Sequence, residues 1–267
     1  MDRFIFRSFG SGSSGNSYFV GSSSYGILID AGVGVRNTRR FLKNMGFDYH
    51  QIWAVFVTHD HADHIKAVGS IGEKHHVPVY ATENVHKGID RNYIVTQKLS
   101  ASKRFIEIGI PYIIGDFKVT AFPVSHDASE SVGYTVEYAG RKISFATDLG
   151  YIDDNTAMHL TGSDAIVLEA NFDEKMLEDG RYPAYLKERI RAKTGHLSNV
   201  QTADFLSENY TNRWKYVFLC HLSKDNNTPQ KAYDTIVDQL MAEQIEFSDN
   251  TEIIPLPRID ASSLYYI

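Results

Sequence analysis

Apolar positions along the chain follow two periods, and the alternation between them predicts the elements. Residues 4–9, 18–20 and 25–29 are short runs rich in aromatic and β-branched side chains, and 52–57 is an unbroken one; all predict strands, the last buried on both faces. Between them, residues 35–45 change to a helical period. Val35, Thr38, Leu42 and Met45 fall on one face, and Arg36, Arg39, Arg40 and Lys43 on the other. A helix is expected over 65–75, with Asp63 near its start, then a short strand over 78–81 and a helix from about Thr82 towards Arg91. Strands are expected over 104–108, 117–124, 132–138 and 142–146. The second half alternates: strand 165–169, helical segments through 173–193, helix 199–208, strand 216–219 and a helix near 230–240. Strands crowded early in each half, with helices appended, predict an α/β (α+β) chain built as a four-layer αββα sandwich. Pro123 and Gly140 punctuate turns without suggesting a boundary, so residues 1–267 are expected to form a single domain.

With 267 residues, a large core is affordable. A net charge of −6 argues against a protein that coats nucleic acid by bulk electrostatics, so any polyanion site must be local. The basic stripe of Arg36, Arg39, Arg40 and Lys43 is one candidate contact for a phosphate backbone. The one cysteine, Cys220, forbids an internal disulfide; next to His221 on a strand it points to the opposite face, and is expected to be a small apolar residue instead of a ligand. The segment Met1 to Arg7 lacks the apolar core of a leader peptide, and no run approaches a membrane span. A soluble cytoplasmic protein with no membrane partner is expected.

The chemistry concentrates in Thr58-His59-Asp60-His61-Ala62-Asp63-His64, directly behind the apolar run 52–57. Neutral imidazoles and carboxylates bind divalent cations, and the missing thiols exclude a cysteine-type structural zinc site. His59 and His61 can reach one cation while Asp63 and His64 point towards another. Three further donors stand alone at strand ends, His126, Asp148 and His221. They complete two sets: His59, His61 and His126 for one ion, Asp63, His64 and His221 for the other, with Asp148 as a bridge. Such a set is a two-metal hydrolytic centre, in which a shared water of lowered pKa is the expected nucleophile. The glycine- and serine-rich loop 10–17 is either a plain turn or an anion-binding nest. It carries no Gly-Lys-Ser/Thr ending.

The sequence Thr58-His59-x-His61-x-Asp63-His64, followed by His126, Asp148 and His221, resembles the metal motifs of the metallo-β-lactamase fold superfamily. His61 stands where flavodiiron proteins carry Glu, and Asp148 where the best-known zinc β-lactamases carry Cys. A closer resemblance covers almost the whole chain. Ser11-Gly12-Ser13-Ser14-Gly15-Asn16-Ser17, Asp30-Ala31-Gly32, Pro123-Val124-Ser125-His126-Asp127, Ala146-Thr147-Asp148-Leu149-Gly150, Gly180-Arg181-Tyr182-Pro183, Gly195-His196-Leu197-Ser198-Asn199 and His221-Leu222-Ser223-Lys224-Asp225-Asn226-Asn227 are similar to the YycJ/WalJ (VicX) branch. That resemblance implies a phosphodiesterase-like enzyme, associated with 5′-to-3′ exonuclease action on double-stranded DNA and in many bacteria encoded beside a cell-wall two-component system.

The related tRNase Z and phosphonate-pathway phosphodiesterase enzymes imply a catalytic role for Glu169 and His196. There an acidic residue orients a histidine near the leaving group, which here would protonate a departing 3′ oxygen. Asp63 is counted in this catalytic set as well as among the metal donors. Ser13, Asn16, Ser223, Asn226 and Asn227 are expected to bind non-bridging oxygens. Two divalent ions are implied, zinc or manganese ahead of iron. The partner is nucleic acid or another phosphodiester. Two other readings use the same residues: a thioester- or lactam-type carbonyl hydrolase, and a metal-loaded regulatory protein linked to cell-wall signalling. A β-CASP nuclease is excluded, because the gap between Asp148 and His221 is too short for its insertion.

Overall fold

A computed structural model describes residues 3–245 and 251–267. Met1 and Asp2, where the segment expected to carry no leader begins, lie outside them. The first half forms β1 (Ile5–Gly10), β2 (Ser17–Gly21), β3 (Gly26–Ile29), α1 (Val35–Lys43), β4 (Ile52–Phe56), α2 (Ala62–Ile65), α3 (Val68–His75), β5 (Val79–Ala81), α4 (Glu83–Arg91) and β6 (Lys103–Phe105). The second forms β7 (Pro111–Ile114), β8 (Phe117–Pro123), β9 (Val132–Tyr138), β10 (Arg141–Ala146), α5 (Asp154–Thr161), β11 (Ala165–Glu169), α6 (Glu174–Asp179), α7 (Ala184–Arg191), α8 (Asn199–Glu208), β12 (Tyr216–Cys220), α9 (Pro229–Ala242) and β13 (Glu252–Pro255). A last strand, β14 (Tyr265–Tyr266), returns to pair with β1.

Two seven-stranded sheets result, ordered β14-β1-β2-β3-β4-β5-β6 and β13-β12-β11-β10-β9-β8-β7. Between them lies an apolar layer drawn from both, with Phe6, Tyr18, Phe56, Phe117, Phe145 and Phe218 at its centre. The outer face of the first sheet packs on α1, α3 and α4 through Leu28, Phe41, Ile71 and Ile89, and that of the second on α5, α8 and α9 through Leu160, Leu206 and Ile236. The architecture is the expected αββα sandwich. Among the described residues no helix is long and apolar enough to cross a membrane.

Strand direction decides where chemistry can gather. β1 and β3 are each antiparallel to β2, and β4 is parallel to β3, so the loops after β1, β3 and β4 emerge at one edge. In the second sheet β8 and β10 are each antiparallel to β9, while β11 and β12 are parallel to β10, so the loops after β8, β10, β11 and β12 share an edge too. Every predicted metal donor sits in one of these loops or, for Asp63 and His64, in the short helix α2 that the loop after β4 enters. The stretch between Asp148 and His221 holds α5, β11, α6, α7, α8 and β12.

Tertiary contacts override the periodic reading in several places. The helix expected over 65–75 is two: it breaks at Lys66–Ala67, where the Ala67 N–H donates to Ala31 O (2.8 Å) instead of continuing the helical ladder. The strand expected to be buried on both faces keeps Trp53 44% exposed, its indole stacked on Tyr25 at 3.9 Å. The segment 173–193 divides at Gly180 to Pro183, and α7 buries none of its residues. Besides a 3-10 turn at Tyr49–Gln51, four elements, β7, α5, β13 and β14, are found where no element was expected; the three strands span four residues or fewer.

Candidate functional site

The ligand loop is held from outside before any cation is considered. Asp30, just past β3, is fully buried and takes a left-handed backbone at φ 60°, a strain of about 1–3 kcal/mol that persists only where neighbours over-determine it. Its carboxylate accepts from Thr58 N (2.8 Å), from Thr58 Oγ1 (2.9 Å) and from His64 Nδ1 (2.7 Å). Because the Thr58 hydroxyl proton goes to Asp30, its oxygen is left to accept from His59 Nδ1 (3.0 Å). One carboxylate therefore fixes the tautomers of two imidazoles.

The same logic recurs around the ring. His126 donates from Nδ1 to Gly195 O (2.9 Å), His61 from Nε2 to Asp127 O (3.1 Å), and His221 from Nδ1 to Glu169 Oε1 (3.0 Å). In each case the outer nitrogen is spent on a protein acceptor, which leaves the inner lone pair for a cation. His59, His61 and His126 bring one ligating atom each within 4.8 Å of one another, and so do Asp63, His64 and His221. Asp148 joins His59 and His64 in a third such group. All seven predicted donors thus lie together.

Two buried atoms in this cluster lack any hydrogen-bond partner, His59 Nε2 and Asp148 Oδ2. Asp148 Oδ2 lies 3.2 Å from His64 Nε2 without the geometry of a hydrogen bond. Charge points the same way. Burial pulls the pKa of His64 and His221 down, but Asp148, Asp30 and Asp63 around the first and Asp148, Asp63 and Glu169 around the second outweigh it; His64 is raised well above the ordinary value and His221 to about 10. Burial raises Asp63, yet His64 and His221 overcome that and hold it at about 2. His59, in contrast, is lowered by burial and by His64. Carboxylates this deep require positive charge, and orphaned lone pairs of nitrogen and oxygen fit a borderline or hard divalent cation in place of protons.

Beside the cluster, Glu169 is fully buried and uses both oxygens. Oε2 accepts from Leu149 N (3.0 Å) and Leu197 N (3.1 Å), and Oε1 is shared between His196 Nδ1 (2.7 Å) and His221 Nδ1 (3.0 Å). Burial opposes a charge on His196, but Glu169 prevails and its pKa is raised. A cavity of about 190 Å³ opens next to it, walled by Ser13, Tyr182, Arg189, His196, His221 and Ser223 among others.

The five residues expected to contact substrate separate. Ser13 and Ser223 line the cavity. Asn16 is buried, its Oδ1 accepting from Gly12 N (2.7 Å) and its Nδ2 lying 3.2 Å from Asp63 Oδ2 and 2.9 Å from His64 Nε2, so its amide faces two predicted donors and does not line the cavity. Asn227 is likewise committed: it exchanges amide hydrogen bonds with Asn199 and donates to Ala170 O, closing the loop after β12 onto α8. Asn226 is buried outside the cavity wall. The basic stripe of α1 is exposed on the outer helical layer and none of it lines the cavity. Cys220 lies in the layer between the sheets, its thiol pKa pushed up by burial. Sequence reasoning missed Asp30 and Thr58 as orienting groups and Tyr182 and Arg189 as cavity walls. The signal for the first was present, an Asp at a strand end before Ala-Gly.

Residues 25–217 match the family described as beta-lactamase superfamily domain. The chain is 35% identical over 222 residues to exodeoxyribonuclease YycJ of Bacillus anthracis, covering 83% of each protein. It is 34% identical over 230 residues to exodeoxyribonuclease WalJ of Streptococcus pneumoniae, covering 86% of each. Its fold resembles that of the metallo-beta-lactamase fold protein YhfI from Bacillus subtilis, with a TM-score of 0.69 at 16% identity over the whole of both chains. Matched over most of its length by the family and by both relatives, the chain belongs to the beta-lactamase superfamily, and its two stacked sheets are the metallo-β-lactamase fold.

Proposed function

We propose that this chain, as one catalytic unit, is a divalent-metal-dependent phosphodiesterase acting on DNA in the cytoplasm, a 5′-to-3′ exonuclease on duplex substrates. The observation that carries the reading is the hydrogen bond of 2.7 Å between Glu169 Oε1 and His196 Nδ1 at the wall of the cavity. A deoxyribose 3′ oxygen is a poor leaving group and needs a proton as it departs, whereas an activated thioester or lactam has less use for a separate acid. Both relatives named as exodeoxyribonucleases support the same substrate class.

His59, His61 and His126 would hold one ion, zinc or manganese ahead of iron, and Asp63, His64 and His221 a second, with Asp148 between them. When bound, such ions supply Lewis-acid activation of water and neutralise charge on phosphoryl oxygens. His196 keeps Nδ1 on Glu169, whose charge raises its pKa and favours a second proton at Nε2, an atom with no partner among the described residues. General-acid catalysis of this kind contributes roughly 10²- to 10⁴-fold. Ser13 and Ser223 line the cavity with hydroxyls that suit phosphate oxygens of the substrate. Glu169, by sharing one oxygen between His196 and His221, couples the acid to a ligand.

The test is metal analysis of the purified protein, then hydrolysis of bis(p-nitrophenyl) phosphate and of end-labelled duplex DNA with each metal. The wild type should cleave both and shorten duplexes from their 5′ ends, and His61→Ala should lose on the order of 100-fold or more, as a lost ligand implies. Equal, slow hydrolysis by the two proteins sinks the reading.

A further inference from the structure

Beside the residues that precede Ser13 and Ser223 stands a guanidinium that makes no ion pair among the described residues. Arg258 follows β13, and its carbonyl accepts from Ser11 N (3.2 Å), which fixes it to the loop after β1. A Cβ built at Gly12 would lie 3.5 Å from Arg258 Cγ, 3.5 Å from its Nε and 3.5 Å from Leu222 O. The stem of the side chain thus runs beside Gly12 near Leu222, the chain neighbours of Ser13 and Ser223, and those two serines line the cavity. Its Nε is buried with no acceptor. Buried N–H donors are nearly always paired, so an orphan in a guanidinium is a donor waiting for an anion.

The surroundings favour an anion there. Arg189, the arginine that lines the cavity, is already tied to Asp127 at 2.6 Å. Ser223 Oγ accepts from Asn226 N (3.2 Å), and its own proton lies beside the Tyr182 oxygen at the cavity wall. The carboxylate at this end, Asp225, is engaged by the Tyr182 hydroxyl (2.9 Å). Two hydroxyls and a guanidinium whose Nε–H lacks an acceptor are the usual composition of a phosphate site.

We propose that Arg258, with Ser13 and Ser223, binds a second phosphate of the substrate, one that is not cleaved, and so favours polynucleotides over simple diesters. The proposal rests on the phosphodiesterase reading and adds a binding residue from the far end of the chain. The phosphate is either the next internucleotide group or a terminal 5′-monophosphate.

The experiment compares metal-loaded wild type, Arg258→Gln and Arg258→Lys, each checked for folding by thermal melting, on bis(p-nitrophenyl) phosphate and on duplex DNA with 5′-phosphate or 5′-hydroxyl ends. For Arg258→Gln, the ratio of kcat/KM on DNA to that on the small diester should fall roughly 10- to 100-fold, carried by KM. Arg258→Lys should recover part of the loss, and the slope of log KM against log salt should shrink by about one for Gln. A loss confined to 5′-phosphorylated ends assigns the terminal phosphate, and a loss at both ends the internucleotide one. An unchanged ratio, or a loss carried by kcat alone, overturns the proposal. Should the wild type cleave neither substrate, the phosphodiesterase reading fails by itself. In that case equal binding of a fluorescent 5′-phosphorylated trinucleotide by wild type and Arg258→Gln would dispose of Arg258 separately, and weaker binding by the variant would uphold it.

Discussion

Asp30 shows how much of the site is decided by a residue that touches no substrate. Its carboxylate binds Thr58 and His64 directly and His59 through the Thr58 hydroxyl, so one side chain from each predicted metal set depends on it. Burial raises its pKa, and His64 opposes that rise. Asp30→Asn keeps the shape but turns one acceptor into a donor facing the His64 Nδ1–H. Affinity for Zn²⁺ or Mn²⁺ measured by titration calorimetry should fall on the order of 10- to 100-fold with the fold retained; unchanged affinity would remove the orienting role. The donors themselves were readable in the sequence because each follows an apolar run, as His126 follows β8 and His221 follows β12. Asp30 showed only as an Asp at a strand end; its orienting role was not legible, because its partners Thr58 and His64 lie on another loop. Asn16 misled for a related reason: a polar residue in a glycine-rich loop reads as a substrate contact, and only packing shows its amide turned inward onto Asp63 and His64.

At the scale of elements, the loops after β1, β3 and β4 are locked together by backbone contacts that admit no side chain. Asn16 N donates to Asp63 O (2.8 Å), and Gly32 N to Asn16 O (2.8 Å). A Cβ at Gly32 would come within 1.5 Å of Asp63 O. Gly32→Ala must therefore displace the backbone that carries Asp63 and His64, with an overpacking cost of about 1–3 kcal/mol. The melting temperature should drop by several degrees and the gain in melting temperature on adding metal should shrink; a melting profile equal to wild type with and without metal would show that the loop yields freely. Where an element is periodic and buried on the side its pattern announces, as in β9, β11 and α8, the sequence locates its bounds. Where a tertiary bond intervenes it does not. Ala67 leaves the helix for Ala31 O, and the short edge strands β6, β7 and β14 depend on the partners they find in the fold.

Across the whole molecule, the two sheets close on one aromatic layer, but the helical layer over the first sheet has a polar fastening of its own. Glu73, on α3, accepts from Ser100 N (2.7 Å) and Ser102 N (3.2 Å) and from both serine hydroxyls, tying that helix to the segment that leads into β6. These bonds, led by the Ser100 N–H, lower its pKa from the ordinary glutamate value to about 2. A carboxylate depressed in the folded state contributes stability above its unfolded pKa and loses it as pH falls through the folded one. The contribution of Glu73 is therefore complete above about pH 4.5 and fades between there and about pH 2. Urea midpoints of wild type and Glu73→Gln should differ at neutral pH, with the variant the less stable, and converge as the pH is lowered through that window. Because Glu73 stands away from the metal loop, the same variant should bind metal as the wild type does. A stability gap that stays constant down to pH 2 would mean that the link between α3 and β6 owes nothing to the charge.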